Sequence, residues 1–172
     1  MITTTAYQDT PTKTVDVEGV PFAYRDLGPR TGTPVVFLNH LAAVLGGFVA
    51  QVIAAEHPEL VRKVILAGTG PAGGEGIEKV APLTYLDMAK GAVTFRDAKY
   101  YLFFTSTPTG RAAARDFLNR LKERAENRDD AISISSFRAH LKAIHGWGTE
   151  EPADLSGIEQ PVFVANGDHD RM

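Results

Sequence analysis

Cysteine is absent from this sequence of 172 residues, so neither a disulfide nor a thiolate metal site can form. That is compatible with a reducing compartment, and the expected location is the cytoplasm. An excess of positive charge is missing too: 18 Lys and Arg stand against 21 Asp and Glu, a formal charge of −3. Nucleic acid and anionic membrane both need a concentrated positive surface, so neither is an expected partner. No apolar run is long enough to span a bilayer. The Thr-rich stretch from Thr3 to Thr14 lacks the basic start and apolar centre of a signal peptide, and residues 1–14 read as a polar tail. Aromatic residues make up only 9 %, with one tryptophan, yet 44 % of the chain is apolar and 23 % charged, the balance of one globular domain.

What is present changes its period in an orderly way. Val15–Val17 and Phe22–Asp26 flank Gly19, which predicts a two-stranded hairpin. Pro34–Asn39 is a continuous apolar run bounded by turn residues, the pattern of a strand buried on both faces of a parallel sheet. A helix is expected to open at Gly46-Gly47, with Phe48, Val49, Val52, Ile53 and then Leu60 marking its buried stripe, and to stop before Pro58. Lys63–Gly68 is the next strand. From Ala72 to Gly157 the pattern turns helical: Ile77–Lys90 broken by Pro82, Arg96–Phe104, Thr109–Asn127 and Ile132–Ile144. Six basic and five acidic residues intermix between Arg111 and Asp130, which reads as a solvated face with local ion pairs rather than a binding patch. Pro161–Asn166 returns as a buried strand and runs into Gly167-Asp168-His169-Asp170.

In that order and spacing, Phe37-Leu38-Asn39-His40-Leu41, the helix and strand from Gly46 to Gly70, the helical insertion and the Gly167–Asp170 turn resemble the α/β-hydrolase superfamily. The resemblance is to its cofactor-independent members, the haloperoxidase-like esterases and enol-lactonases. It implies an α/β fold with a mostly parallel, incomplete sheet: residues 15–71 and 158–172 as core, 72–157 as a helical lid over an apolar pocket. It also implies ester or lactone hydrolysis by a Ser-His-Asp triad without metal or cofactor. Asp170 matches the triad acid, and the backbone of Leu41 and Ala42 matches the oxyanion loop.

The family pattern then fails at one place. The residue two before Gly46 should be serine and the one four before should be glycine; Val44 and Ala42 stand there instead. Both fit the oxyanion loop as the continuation of His40-Leu41, which implies that a block ending in the serine-bearing strand is missing between Leu45 and Gly46. The catalytic histidine segment, which the family carries after the acid, is likewise not in the sequence. Removing nucleophile or base from such a triad costs on the order of a million-fold in rate, so this chain is expected to be nearly inactive. Deleting two central strands leaves a gap of roughly 10 Å in a sheet. Three explanations fit: a sheet that re-closes, completion by another subunit or a second copy, or a longer molecule, and an intact mass of 18.6 kDa separates the last from the others.

Other chemistry is weaker. Ser106, Ser133, Ser135, Ser136 and Ser156 lie in the helical insertion or its flank and read as caps and loop hydroxyls. His140, His145 and His169 read as surface or loop histidines. Asp168, His169 and Asp170 with His40 would be a poor metal set, because ligands from consecutive residues rarely converge. Gly68-Thr69-Gly70-Pro71-Ala72-Gly73 with Asp87 matches a dinucleotide fingerprint, but its glycines do not lead straight into a helix. Phe95, Tyr100, Tyr101, Phe103 and Phe104 suit an apolar ligand such as a small ester or lactone, and core packing equally. A binding or self-association module without catalysis is the alternative of another class.

Overall fold

The computed structural model describes residues 9–17, 19–27, 44–123, 125 and 131–167. The expected strand Pro34–Asn39, the loop residues Leu41 and Ala42, and the Asp168–Asp170 turn lie outside the described residues. Strands β1 (Lys13–Val17) and β2 (Val20–Tyr24) form an antiparallel hairpin with Val15 opposite Phe22, as the sequence predicts. Gly19 makes the turn at φ 82°, a left-handed conformation that costs a side chain, and its N–H donates to the Asp16 carboxylate at 3.0 Å.

Helix α1 (Val44–Glu56) begins two residues before the expected glycine, so Leu45-Gly46 lies inside its first turn with no break. Its buried stripe also differs from expectation. Phe48, Gln51 and Ala54 are buried, while Val49 and Val52 are exposed and Leu60, beyond the helix, is 73 % exposed. The helix rotates this way because the Gln51 amide, only 2 % exposed, finds two carbonyl acceptors inside. After a 3₁₀ turn at Pro58–Leu60, β3 (Val64–Ala67) pairs in parallel with β4 (Val162–Ala165), Val64 opposite Val162. Strand β4 was expected to be buried. All four of its residues are exposed, because among the described residues its one ladder partner is β3 and no helix packs over it.

Between these strands the chain is helical: a 3₁₀ turn at Ile77–Lys79, then α2 (Val80–Thr94), α3 (Lys99–Leu102), α4 (Pro108–Arg120) and α5 (Ile134–Thr149). Pro82 does not break α2. It stands in the first turn, where its missing N–H has no intrahelical acceptor to lose. Thr107 and Ser133 cap α4 and α5 by accepting from the N–H of Gly110 and Ser136, both at 3.1 Å. The local ion pairs expected on α4 are not made: among the described residues none engages Arg111, Arg115 or Arg120.

The hydrophobic core joins Phe48 of α1 to Ile77, Val80 of α2, and Leu141 and Ile144 of α5, with Leu45, Ala81, Phe137 and Trp147 packed around it. At about 1.5–3 kcal/mol per buried aliphatic or aromatic side chain, this cluster fixes α5 and the 3₁₀ turn on α1. Among the described residues no helix is long and apolar enough to cross a membrane.

Candidate functional site

In open α/β sheets ligands bind beyond the carboxyl ends of parallel strands, because helix starts and loops converge there. Here the carboxyl ends of β3 and β4 are tied together. The Thr69 N–H donates to Asn166 Oδ1, and Asn166 Nδ2 donates back to the Thr69 carbonyl, both at 3.3 Å. One residue on, the Gly70 carbonyl accepts from Gln51 Nε2 at 3.1 Å and from Trp147 Nε1 at 3.2 Å. Gln51 Nε2 also donates to the Gly47 carbonyl at 3.0 Å. The Trp147 ring stacks on Phe48 with centroids 4.6 Å apart and planes 14° from parallel. A Cβ on Gly47 would lie 2.4 Å from the Thr69 side chain, so only glycine lets the helix start approach the loop this closely. The first turn of α1, the loop after β3 and the end of α5 are thereby held as one unit.

That unit offers the N–H groups of a helix start, whose first four have no acceptor within the helix and which favour negative charge. The first turn of α1 itself offers no nucleophile. The first turn reads Val44-Leu45-Gly46-Gly47, without hydroxyl, imidazole or carboxylate.

A family model described as alpha/beta hydrolase fold matches residues 41–172. The chain belongs to the α/β hydrolase fold family. Among solved structures it is similar to the alpha/beta hydrolase fold protein from Chitinophaga pinensis, at 22 % identity and a TM-score of 0.80, covering 90 % of this chain and 78 % of that one. Identity at that level speaks for the fold alone. No curated protein matches the chain.

Within this α/β hydrolase fold, the site residues expected from sequence, Asp170, Leu41 and Ala42, lie outside the described residues. Among the serines weighed as substitutes, Ser133 Oγ bonds Ser135 and Ser136 Oγ at 2.9 Å each, and the Ser156 N–H donates to the Asp154 carboxylate at 2.9 Å. The Ser156 side chain, and then its backbone, hold the Asp154 carboxyl below its ordinary value. His145 is exposed and lies 3.4 Å from the Glu78 carbonyl, and half-buried His140 lines an apolar groove. That groove, of about 280 Å³, lies between α2, α3 and α5 and is walled by Met88, Leu102, Phe103, Phe137, Leu141 and Ile144.

At Gly68–Gly73 no helix begins. The chain continues through turns to Ile77, the Gly70 carbonyl is occupied, and Asp87 is buried within α2. Sequence reasoning missed Gln51, Trp147 and Asn166 as organisers of this edge. Asn166 carried a faint signal as the polar residue closing an apolar strand, whereas Gln51 and Trp147 carried none. Among the described residues no group of three or more His, Asp or Glu is placed to hold a metal.

Proposed function

We propose that the reaction native to this scaffold is hydrolysis of a carboxylic ester or lactone, and that this chain performs it at a negligible rate. One observation carries the second half: the turn that should present a nucleophile at the start of α1 holds Val44 as its first helical residue. Acyl transfer needs a hydroxyl on a sharp strand-to-helix turn, an imidazole to take its proton and a carboxylate to orient that imidazole. By resemblance, Asp170 would be that carboxylate and the Leu41 and Ala42 backbone would face the oxyanion, a contact worth about 3 kcal/mol per donor. Donors without a nucleophile stabilise a transition state that never forms. The helical segment 72–157 serves as the lid, and the apolar groove beside α5 supports an apolar acyl group as its preferred guest.

The test is hydrolysis of p-nitrophenyl acetate and butyrate. The chain is expected to match the buffer rate, and Val44→Ser is expected to match it too, because a lone serine in a helical first turn has no base. Turnover that disappears in Asp170→Asn would overturn this reading.

A second reading, a binding or self-associating module, is favoured by apolar side chains exposed on the β3–β4 ladder. Ile65 and Phe163 are register partners on β3 and β4, and both are exposed. Concentration-dependent oligomers in light scattering would support it, and a monodisperse monomer would count against it.

A further inference from the structure

Helix α2 rises about 1.5 Å per residue, so Lys90 stands roughly 15 Å along it from Val80, where α2 joins the core shared with α1. At that far end a groove of about 730 Å³ opens between the end of α2, α3 and the start of α4. Its walls carry three cations, Lys90, Arg96 and Arg111, three aromatic rings, Tyr100, Tyr101 and Phe104, and no carboxylate.

The cations are positioned rather than neutralised. Lys90 Nζ sits 4.3 Å from the centre of the Tyr101 ring, and the Arg96 guanidinium carbon 4.6 Å from that of Tyr100. Arg111 donates through Nη1 to the Ser106 carbonyl. Among the described residues none of the three is paired with a carboxylate, and Asp97, next to Arg96 in the chain, is held by Lys99 at 3.3 Å. Tyr100 is only 7 % exposed, and among the described residues its hydroxyl has no hydrogen-bond partner. Three like charges sharing one groove repel one another, in a chain whose net charge is −3. An anion placed among them turns that repulsion into attraction.

We propose that this groove binds a small organic phosphate, its phosphate among Lys90, Arg96 and Arg111 and its apolar part against Tyr101 and Phe104. A phosphate suits the walls better than a carboxylate. It brings close to two charges and three free oxygens to two forked guanidiniums, an ammonium and the hydroxyls of Thr105 and Ser106. The volume lies within the range of small-ligand sites. The site is separate from the α1 edge and stands whether or not the chain hydrolyses esters.

Calorimetric titration of the full chain with phenyl phosphate, inorganic phosphate and phenol tests it. Phenyl phosphate is expected to bind at least about ten-fold tighter than either of the others, and more weakly as salt rises. The double variant Lys90→Gln/Arg111→Gln should lose at least about ten-fold in affinity while its ligand-free melting temperature holds. Should that variant melt early, Lys90→Gln alone, whose ammonium lies over the Tyr101 ring, is expected to weaken binding at least about three-fold. No binding at millimolar phenyl phosphate, phenol binding as tightly, or affinity unchanged in the variants would each overturn the proposal.

Discussion

Phe95 ends α2 in a conformation that suits glycine: its φ is 55° and ψ 40°, and it is 96 % exposed. A left-handed residue with a Cβ costs roughly 1–2 kcal/mol, whereas glycine costs about 0.5–1 kcal/mol in chain entropy. The ring packs against almost nothing that would offset the difference. The cap itself is backbone, Arg96 N–H to the Gly91 carbonyl at 2.9 Å, and survives substitution. Phe95→Gly is therefore expected to stabilise the chain by about 0.5–1 kcal/mol, read as a rise of a few degrees in melting temperature. A fall would mean that the ring makes contacts its exposure denies. This residue was legible in sequence only as an aromatic. Whether an aromatic lines a core, a groove or open solvent depends on where its helix stops, and α3 covers Lys99–Leu102 rather than the expected Arg96–Phe104. Tyr100, within α3, lies inward, and Phe95, at the end of α2, lies outward.

Among elements, α1 shows best what periodicity could and could not reveal. Its existence and end before Pro58 were readable from the apolar spacing and the proline; its buried face was not, because a buried glutamine is indistinguishable in sequence from a solvated one. What turns Gln51 inward is the Gly70 carbonyl, nineteen residues away and shared with the Trp147 indole. Two donors on one acceptor back each other up. Gln51→Leu and Trp147→Phe, each leaving one donor, are expected to cost about 1 kcal/mol apiece. The double variant leaves the carbonyl with neither donor and should exceed the sum by roughly 1 kcal/mol. Denaturant unfolding of the four proteins measures this, and strict additivity would show that the shared carbonyl couples nothing. The same long-range bonds explain why the candidate site was only half readable. The glycine-led helix start and the strand-end loop were visible as motifs. The amide and indole that lock them together come from the middle of one helix and the end of another.

For the whole molecule, the order of strand, helix, strand, helical insertion and strand was enough to place the chain in its fold family, since that order is written locally in apolar period and turn residues. The layer that covers the sheet was not, because burial of a strand depends on neighbours far away in sequence. Strand β4 reads as a core strand, Val-Phe-Val-Ala, and stands exposed throughout. With Ile65 at 71 % and Phe163 at 63 % exposure, side by side in the parallel register, the pair presents an apolar surface of the kind that marks association rather than solvent. Among the described residues the ladder's outer edges have no strand partner, which makes them a template for another strand. Replacing both residues, Ile65→Lys with Phe163→Lys, puts like charges on that face of any two copies. Neither side chain is buried, so the substitutions should change stability by no more than about 0.5 kcal/mol. Light scattering across a concentration series is then expected to show oligomers for the parent chain and a monomer for the double variant at equal melting temperature. If the variant still associates, contact runs through the strand edges rather than the apolar face. If the parent is a monomer throughout, the exposed strands are tolerated as they stand and self-association is excluded.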